Sequence, residues 1–201
     1  MSLNNWALKN SELKPLQRAG LLLLGVRCAM RVEPWMPPQT LALWSRGLRH
    51  ATASAFSEPE SDTSATLRRE LSDRGAIASN ALISIDEALG RCMNYSTQTL
   101  ARVLDATGLE YGTPMKKMII ETSKLSASIA GVLAHAGRVA VPHGQDAVDV
   151  ACVAMWDAIR ADIPILAAKT AQFQNAEDPV GALRDCATLW VGGVPNWATT
   201  R

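Results

Sequence analysis

His143 and Asp146 are the best candidates in the chain for a polar site on a loop. They lie three residues apart in the segment 141–146, which also contains Pro142 and Gly144. Loops carry binding and catalytic residues more often than helices do. The alternative for Asp146 is structural, because an acidic side chain at the start of a helix interacts favourably with the helix dipole.

Other kinds of site chemistry find little support in the sequence. Nucleophilic catalysis needs a serine or cysteine beside a histidine that an acid orients, and there are only three histidines. His135 lies off the apolar stripe of its helix, which predicts a solvated face. The chain has neither glycine-rich phosphate-loop patterns nor the local Cys/His or Glu-x-x-His ligand pairs of metal sites. We therefore predict no catalytic residues, no cofactor and no metal.

The four cysteines are widely separated along the chain, at Cys28, Cys92, Cys152 and Cys186. All fall in apolar, helix-like segments without a CxxC pair, so we expect buried free thiols. Free thiols are typical of a reducing compartment, which predicts a cytoplasmic protein.

Six tryptophans are present, and tryptophan is enriched in the energetic centres of protein interfaces. Trp44 and Trp156 lie on or beside core stripes and are expected to be structural. Trp35, Trp190 and Trp197 lie near helix ends or the C-terminus, where they could form a surface for a partner. For the C-terminal pair, we expect Trp190 to fold back onto the bundle and Trp197 to stay partly exposed.

Charge and hydropathy argue against two classes of partner. The net charge is +1, and the seven cations among residues 1–50 are scattered between apolar runs rather than gathered on one helix face. This distribution does not predict nucleic-acid binding. The longest apolar run near the N-terminus, residues 19–26, is too short to cross a bilayer, so no membrane association is predicted.

Apolar residues recur at spacings of three and four along most of the chain, which predicts helices and no sheet. A first helix should run from near Pro15 to before Pro34, and its uniformly apolar centre suits the middle of a bundle. A second should follow Pro38 and reach about Phe56. The expected fold is all-α, a single globular bundle of six to eight helices in one domain, residues 1–201. A mobile loop is expected at 57–63 and a surface tail at 191–201.

In the middle of the chain, Gly75 suggests a helix break and Ser96 a helix N-cap. Thr113 and Pro114 predict the start of the central long helix, with Leu125 and Ile129 in its core stripe. Pro164 should end or kink a later helix, and Pro179 should open the last one, which is expected to reach Leu189.

Two stretches resemble parts of a loosely defined set of uncharacterised, alanine-rich, all-helical bacterial proteins. They are residues 27–35, with the sequence RCAMRVEPW, and residues 189–197, with the sequence LWVGGVPNW. In overall style the chain is also similar to the helical immunity proteins of bacterial toxin systems. The resemblance to the uncharacterised bacterial proteins implies a helical fold, and the similarity to immunity proteins implies that the chain binds another protein.

The leading functional hypothesis is thus a non-enzymatic protein–protein interaction module, immunity-like or accessory, with self-association left open. The alternative is a small-ligand-binding protein or enzyme with a pocket between helices, lined by Met115, Met118, Met155 and Trp156. A pocket with convergent polar groups would favour the alternative, whereas an exposed apolar patch would favour a protein partner.

Overall fold

The structure, a computed structural model, describes residues 7–57, 61–82, 87–135 and 144–195. Within these ranges the chain is an all-α bundle of seven α-helices without strands, as the apolar spacing predicts. A short 3-10 helix, Glu33–Trp35, follows the first of them. The α-helices are α1 (Arg18–Val32), α2 (Pro38–Ser54), α3 (Ser61–Leu82), α4 (Glu87–Thr107), α5 (Thr113–Leu133), α6 (Gly144–Gln174) and α7 (Pro179–Asp185). None of the helices in the described ranges is both long enough and apolar enough to span a membrane.

Helix α1 lies in the middle of the bundle. Every residue from Gly20 to Val32 is buried, and the helix contacts α2, α4, α5, α6 and α7. A helix that is apolar all round must have neighbours on all sides, so its place confirms the prediction from residues 21–24. Its end before Pro34 is also confirmed, although it begins at Arg18 rather than near Pro15.

The break predicted at Gly75 is wrong, because α3 continues through that residue. A β-carbon at Gly75 would lie 2.8 Å from Oγ1 of Thr97, so the glycine allows α3 and α4 to approach closely. Ser96 is not an N-cap either. It lies inside α4 and its hydroxyl donates a hydrogen bond of 2.8 Å to the carbonyl of Cys92, one turn earlier.

Helix α5 begins at Thr113, with Pro114 in its first turn, as predicted. Its buried face differs from the predicted stripe. Ile129 is fully buried, but Leu125 is only half-buried and its place in the core is taken by smaller neighbours, Ser126 and Ala127. The most deeply buried residues of α5 therefore include side chains with hydroxyl groups, which a search for apolar residues alone does not find.

Helix α6 is the longest, with 31 residues, and it passes through Pro164 without ending. Helix α7 begins at Pro179 as predicted but ends at Asp185, before Leu189. The expected loop 57–63 is shorter than predicted, since α3 starts at Ser61, while residues 58–60 lie outside the described ranges. Residues 191–195 do lie at the surface, and the rest of the tail is outside the described ranges.

Candidate functional site

A cavity of about 640 Å³ opens between α4, α5 and α6. Its floor is apolar and its rim is polar. The floor consists of Ala127, Gly131 and Val132 of α5 together with Val148, Cys152 and Trp156 of α6. The rim carries Glu87, Arg91, Lys124, Ser128 and His135, and Ala7 adds a further apolar contact.

Helical spacing brings these residues to one place. Lys124 and Ser128 lie one turn apart on the same side of α5, and His135 follows at a further step of seven, two residues beyond the end of that helix. On α6, Val148, Cys152 and Trp156 are four residues apart and form the facing stripe. Gly131 lets the two helices meet below the cavity, because a β-carbon there would lie 3.1 Å from Cγ1 of Val148.

Cys152 is the one floor residue with a reactive group. Its thiol lies 3.4 Å from the carbonyl oxygen of Ala127 and donates a hydrogen bond to it. Burial raises the pKa of the Cys152 thiol, and the negative charge of Asp149 raises it further. A thiol that stays protonated is a poor nucleophile, so the cavity floor is suited to contact with a ligand rather than to covalent catalysis.

The charged residues of the rim are arranged as exposed ion pairs. Glu87 and Arg91 lie one turn apart on α4, and Oε1 of Glu87 is 2.5 Å from Nη2 of Arg91. On α5, Nζ of Lys124 is 2.9 Å from Oε1 of Glu121. The hydrogen bond from Arg91 to Glu87 raises the pKa of the guanidinium. His135 is exposed and makes no hydrogen bond within the described part of the chain. The rim thus offers two cations and an unengaged imidazole above an apolar floor.

A second polar group lies inside the bundle. The Asp162 carboxylate is 2.8 Å from Nε of Arg27 and 2.7 Å from Nη2 of Arg31, and all three side chains are almost inaccessible to solvent. Arg27 also donates to the carbonyls of Leu183, Ala187 and Thr188, and Arg31 donates to that of Leu189. Since its donors point mainly at backbone carbonyls, this cluster joins α1 to α7 and to the segment that follows it, and is structural.

The predicted partner surface is not formed by the tryptophans. Trp35 and Trp190 are each 4% exposed and belong to the core, because the 3-10 helix and the turn after α7 fold their side chains inward. The expected folding back of Trp190 is therefore confirmed, but neither side chain is available to a partner. Trp197 lies outside the described residues.

The other predicted site residues are not brought together. His143 lies outside the described residues, and Asp146 belongs to the first turn of α6, where its side chain is not described. Of the predicted methionine pocket, only Trp156 lines the cavity. Met115 and Met155 are fully buried in the core, and Met118 packs against it. Three of the four cysteines are buried and all four are free, as expected, but Cys186 is half-buried.

Sequence reasoning missed the buried cluster and most of the cavity. The cluster had a signal: Arg27 and Arg31 are one turn apart inside an otherwise apolar helix, which is typical of a charged pair that faces a buried acid. The cavity had none, because its residues come from three helices and their proximity is not encoded in local spacing. Within the described residues, no group of three or more metal-ligating side chains is found.

No protein-family model matches the chain, and comparisons with curated proteins and with solved structures also find no match.

Proposed function

We propose that the protein binds a small, largely apolar molecule in the cavity between α4, α5 and α6. The observation that supports this most directly is the pairing of an apolar floor with a polar rim in a cavity of about 640 Å³. Small-molecule sites are usually concave, mostly apolar and of this size, with a few polar groups that orient the ligand.

The rim indicates which end of such a ligand would face outward. Arg91 and Lys124 approach the opening, and the His135 imidazole adds a polar group beside them. Each of the first two already has an acidic neighbour, so a ligand with one anionic group would share these cations rather than find them free. The Trp156 side chain at the floor suits contact with a flat or branched apolar body.

The existence of the cavity can be tested by filling it. Ala127 lines the floor, whereas Ala130, three residues further along α5, is fully buried in the core and lies outside the cavity lining. Ala127→Phe should leave the free energy of unfolding within about 1 kcal/mol of the wild type, while Ala130→Phe should cost about 1–3 kcal/mol or more through overpacking. Equal losses in denaturant melts of the two variants would mean that the floor is already filled.

Binding is tested with anilinonaphthalene sulfonate, a flat apolar probe with one negative charge. We expect the wild type to bind one probe per chain by fluorescence titration, and Ala127→Phe to weaken binding by at least about tenfold, which corresponds to 1.4 kcal/mol. Ile77→Ser, which removes an exposed apolar side chain on α3, should leave binding unchanged. A stable Ala127→Phe variant that binds like the wild type would place the probe elsewhere and overturn the proposal.

A second proposed function is interaction with another protein, as the immunity-like style of the sequence implies. It is supported by two valines, Val150 and Val191, whose relative exposures are 64% and 60%. Exposed aliphatic side chains that lie side by side are typical of partner surfaces. For either function we propose a reducing, cytoplasmic setting, which the four free cysteines support.

A further inference from the structure

The first half of α6 has two different faces. Val148, Cys152 and Trp156 point into the cavity described above. A second face, which adjoins the first at Asp149, carries Asp149, Val150, Val153, Ala154 and Asp157, and with Val191 these residues line a shallow groove of about 370 Å³. The groove is thus separate from the proposed ligand cavity, although both are built on the same helix.

The groove is apolar along its length and negative at both ends. Asp149 and Asp157 are eight residues apart on α6, a distance of about 12 Å along the axis at 1.5 Å per residue. Neither carboxylate forms an ion pair within the part of the chain that the structure describes. Arg160, the next basic residue on α6, is held by Glu12 at 2.7 Å.

This charge pattern decides between two kinds of occupant. A second copy of the chain docked symmetrically would bring the same valines together, but it would also bring the same two carboxylates into one apolar interface, where like charges are strongly unfavourable. A different protein with positive charges at the matching spacing would satisfy both carboxylates and cover the valines.

We propose that the groove binds an amphipathic helix of another protein that carries two basic residues eight positions apart, with aliphatic side chains between them on the same face. Such a helix places its apolar stripe over Val150, Val153 and Val191 while its cations reach Asp149 and Asp157. This inference rests on the second proposed function and is independent of ligand binding in the cavity.

The test uses the full chain and two synthetic helical peptides labelled for fluorescence anisotropy. The basic peptide has two lysines eight positions apart, at the positions that correspond to Asp149 and Asp157. Leucines stand at the positions that correspond to Val150, Val153 and Ala154. The acidic peptide has glutamates in place of the lysines. We expect the acidic peptide to bind at least about tenfold more weakly than the basic one.

A charge-swapped chain provides the decisive comparison. In the double variant Asp149→Lys with Asp157→Lys, the preference should reverse, so that the acidic peptide binds more tightly. Ala127→Phe should leave the binding of both peptides unchanged, which separates failure of this inference from failure of the cavity proposal. Retained far-ultraviolet circular dichroism shows that each variant is folded.

Three results would overturn the proposal. The first is equal affinity of the two peptides for the wild type, or a preference that the charge swap does not reverse. The second is self-association in sedimentation experiments that Val150→Lys abolishes, which would assign the groove to a second copy. The third is peptide binding that appears only when residues 196–201 are removed, which would assign the groove to the chain's own C-terminal residues.

Discussion

Arg27 of α1 and Asp162 of α6 form an ion pair of 2.8 Å whose two side chains are 0% and 2% exposed. The same carboxylate also receives Arg31 at 2.7 Å. One acid therefore neutralises one of two buried cations, and the remaining positive charge is stabilised by backbone carbonyls, chiefly those of Leu183 in α7 and of residues 187–189 after it. This arrangement depends on every partner, because a buried charge that loses its counter-charge is very unfavourable.

We expect Asp162→Asn to lower the free energy of unfolding by about 3–5 kcal/mol, since it leaves two buried guanidinium groups without an anion. Glu12→Gln is the matched control. Its partner Arg160 lies at a similar distance, 2.7 Å, but both side chains are about one-third exposed, so the loss should be under about 1 kcal/mol. Similar losses of unfolding free energy for both variants in urea melts would show that the buried carboxylate of Asp162 is no more important for stability than the exposed one of Glu12.

The thiol of Cys28 makes the stability sensitive to alkaline pH. Burial raises its pKa, and the nearby charge of Arg31 offsets this only in part. In the unfolded chain a thiol ionises near pH 8.5, at about its ordinary pKa. As pH rises above that value the unfolded chain loses a proton that the folded protein keeps, so stability falls.

The Cys28→Ala variant isolates this effect. Its free energy of unfolding should decline less steeply than that of the wild type between about pH 8 and pH 10, because the titrating thiol is gone. Cys152→Ala should behave in the same direction, since burial also raises the pKa of Cys152. Parallel stability curves for wild type and both variants would contradict the expectation.

Two glycines in neighbouring helices should respond to alanine in opposite ways. A β-carbon at Gly75 of α3 would meet Thr97 at 2.8 Å, and Thr97 is short, branched and hydrogen-bonded to its own helix. At Gly90 of α4 the nearest atom is 3.9 Å away. We expect Gly75→Ala to destabilise by about 1–3 kcal/mol and Gly90→Ala to stabilise by about 0.5–1 kcal/mol. Stabilisation by both changes in thermal melts would mean that α3 and α4 are less closely packed.

The corrected face of α5 can be tested in the same way. The side chain of Ile129 is fully buried in the core, so Ile129→Ala should lower the free energy of unfolding by about 2–5 kcal/mol. Leu125, four residues earlier, is only half-buried, and Leu125→Ala should cost about 1 kcal/mol or less. Losses of about 2–5 kcal/mol for both variants in denaturant melts would instead support the predicted stripe, in which both residues are core.

The sequence predicts the fold class and several helix ends because these depend on local signals. Pro114 beside Thr113 marks the start of α5, Pro179 marks that of α7, and the uninterrupted apolar run of α1 predicts its central position. The boundaries of α3 and α4 could not be obtained in this way. Gly75 looks like a helix break in isolation, and its compatibility with a continuous helix comes from packing against Thr97, a contact between distant residues.

The candidate site was less predictable than the fold. Trp35 and Trp190 resemble interface residues by type and position, but turns that the local pattern does not specify place both in the core. The cavity residues are individually unremarkable and become a group only when α4, α5 and α6 pack together. The groove on α6 could not be predicted for the same reason, since Val150 and Val191 lie beside each other although they are about forty residues apart in the sequence.

The contacts of Arg27 and Arg31 also bear on the order in which the chain is made. Their carbonyl partners at Leu183 and Leu189 follow them by 156 and 158 residues. At about 5–20 residues per second, a ribosome needs roughly 8–30 s to add that length. During this interval the apolar surface of α1 has no complete set of neighbours, and its two arginines lack their final acceptors. Closure of the bundle around α1 is therefore complete only after residues 183–189 have been synthesised, and until then α1 exposes apolar surface that can aggregate.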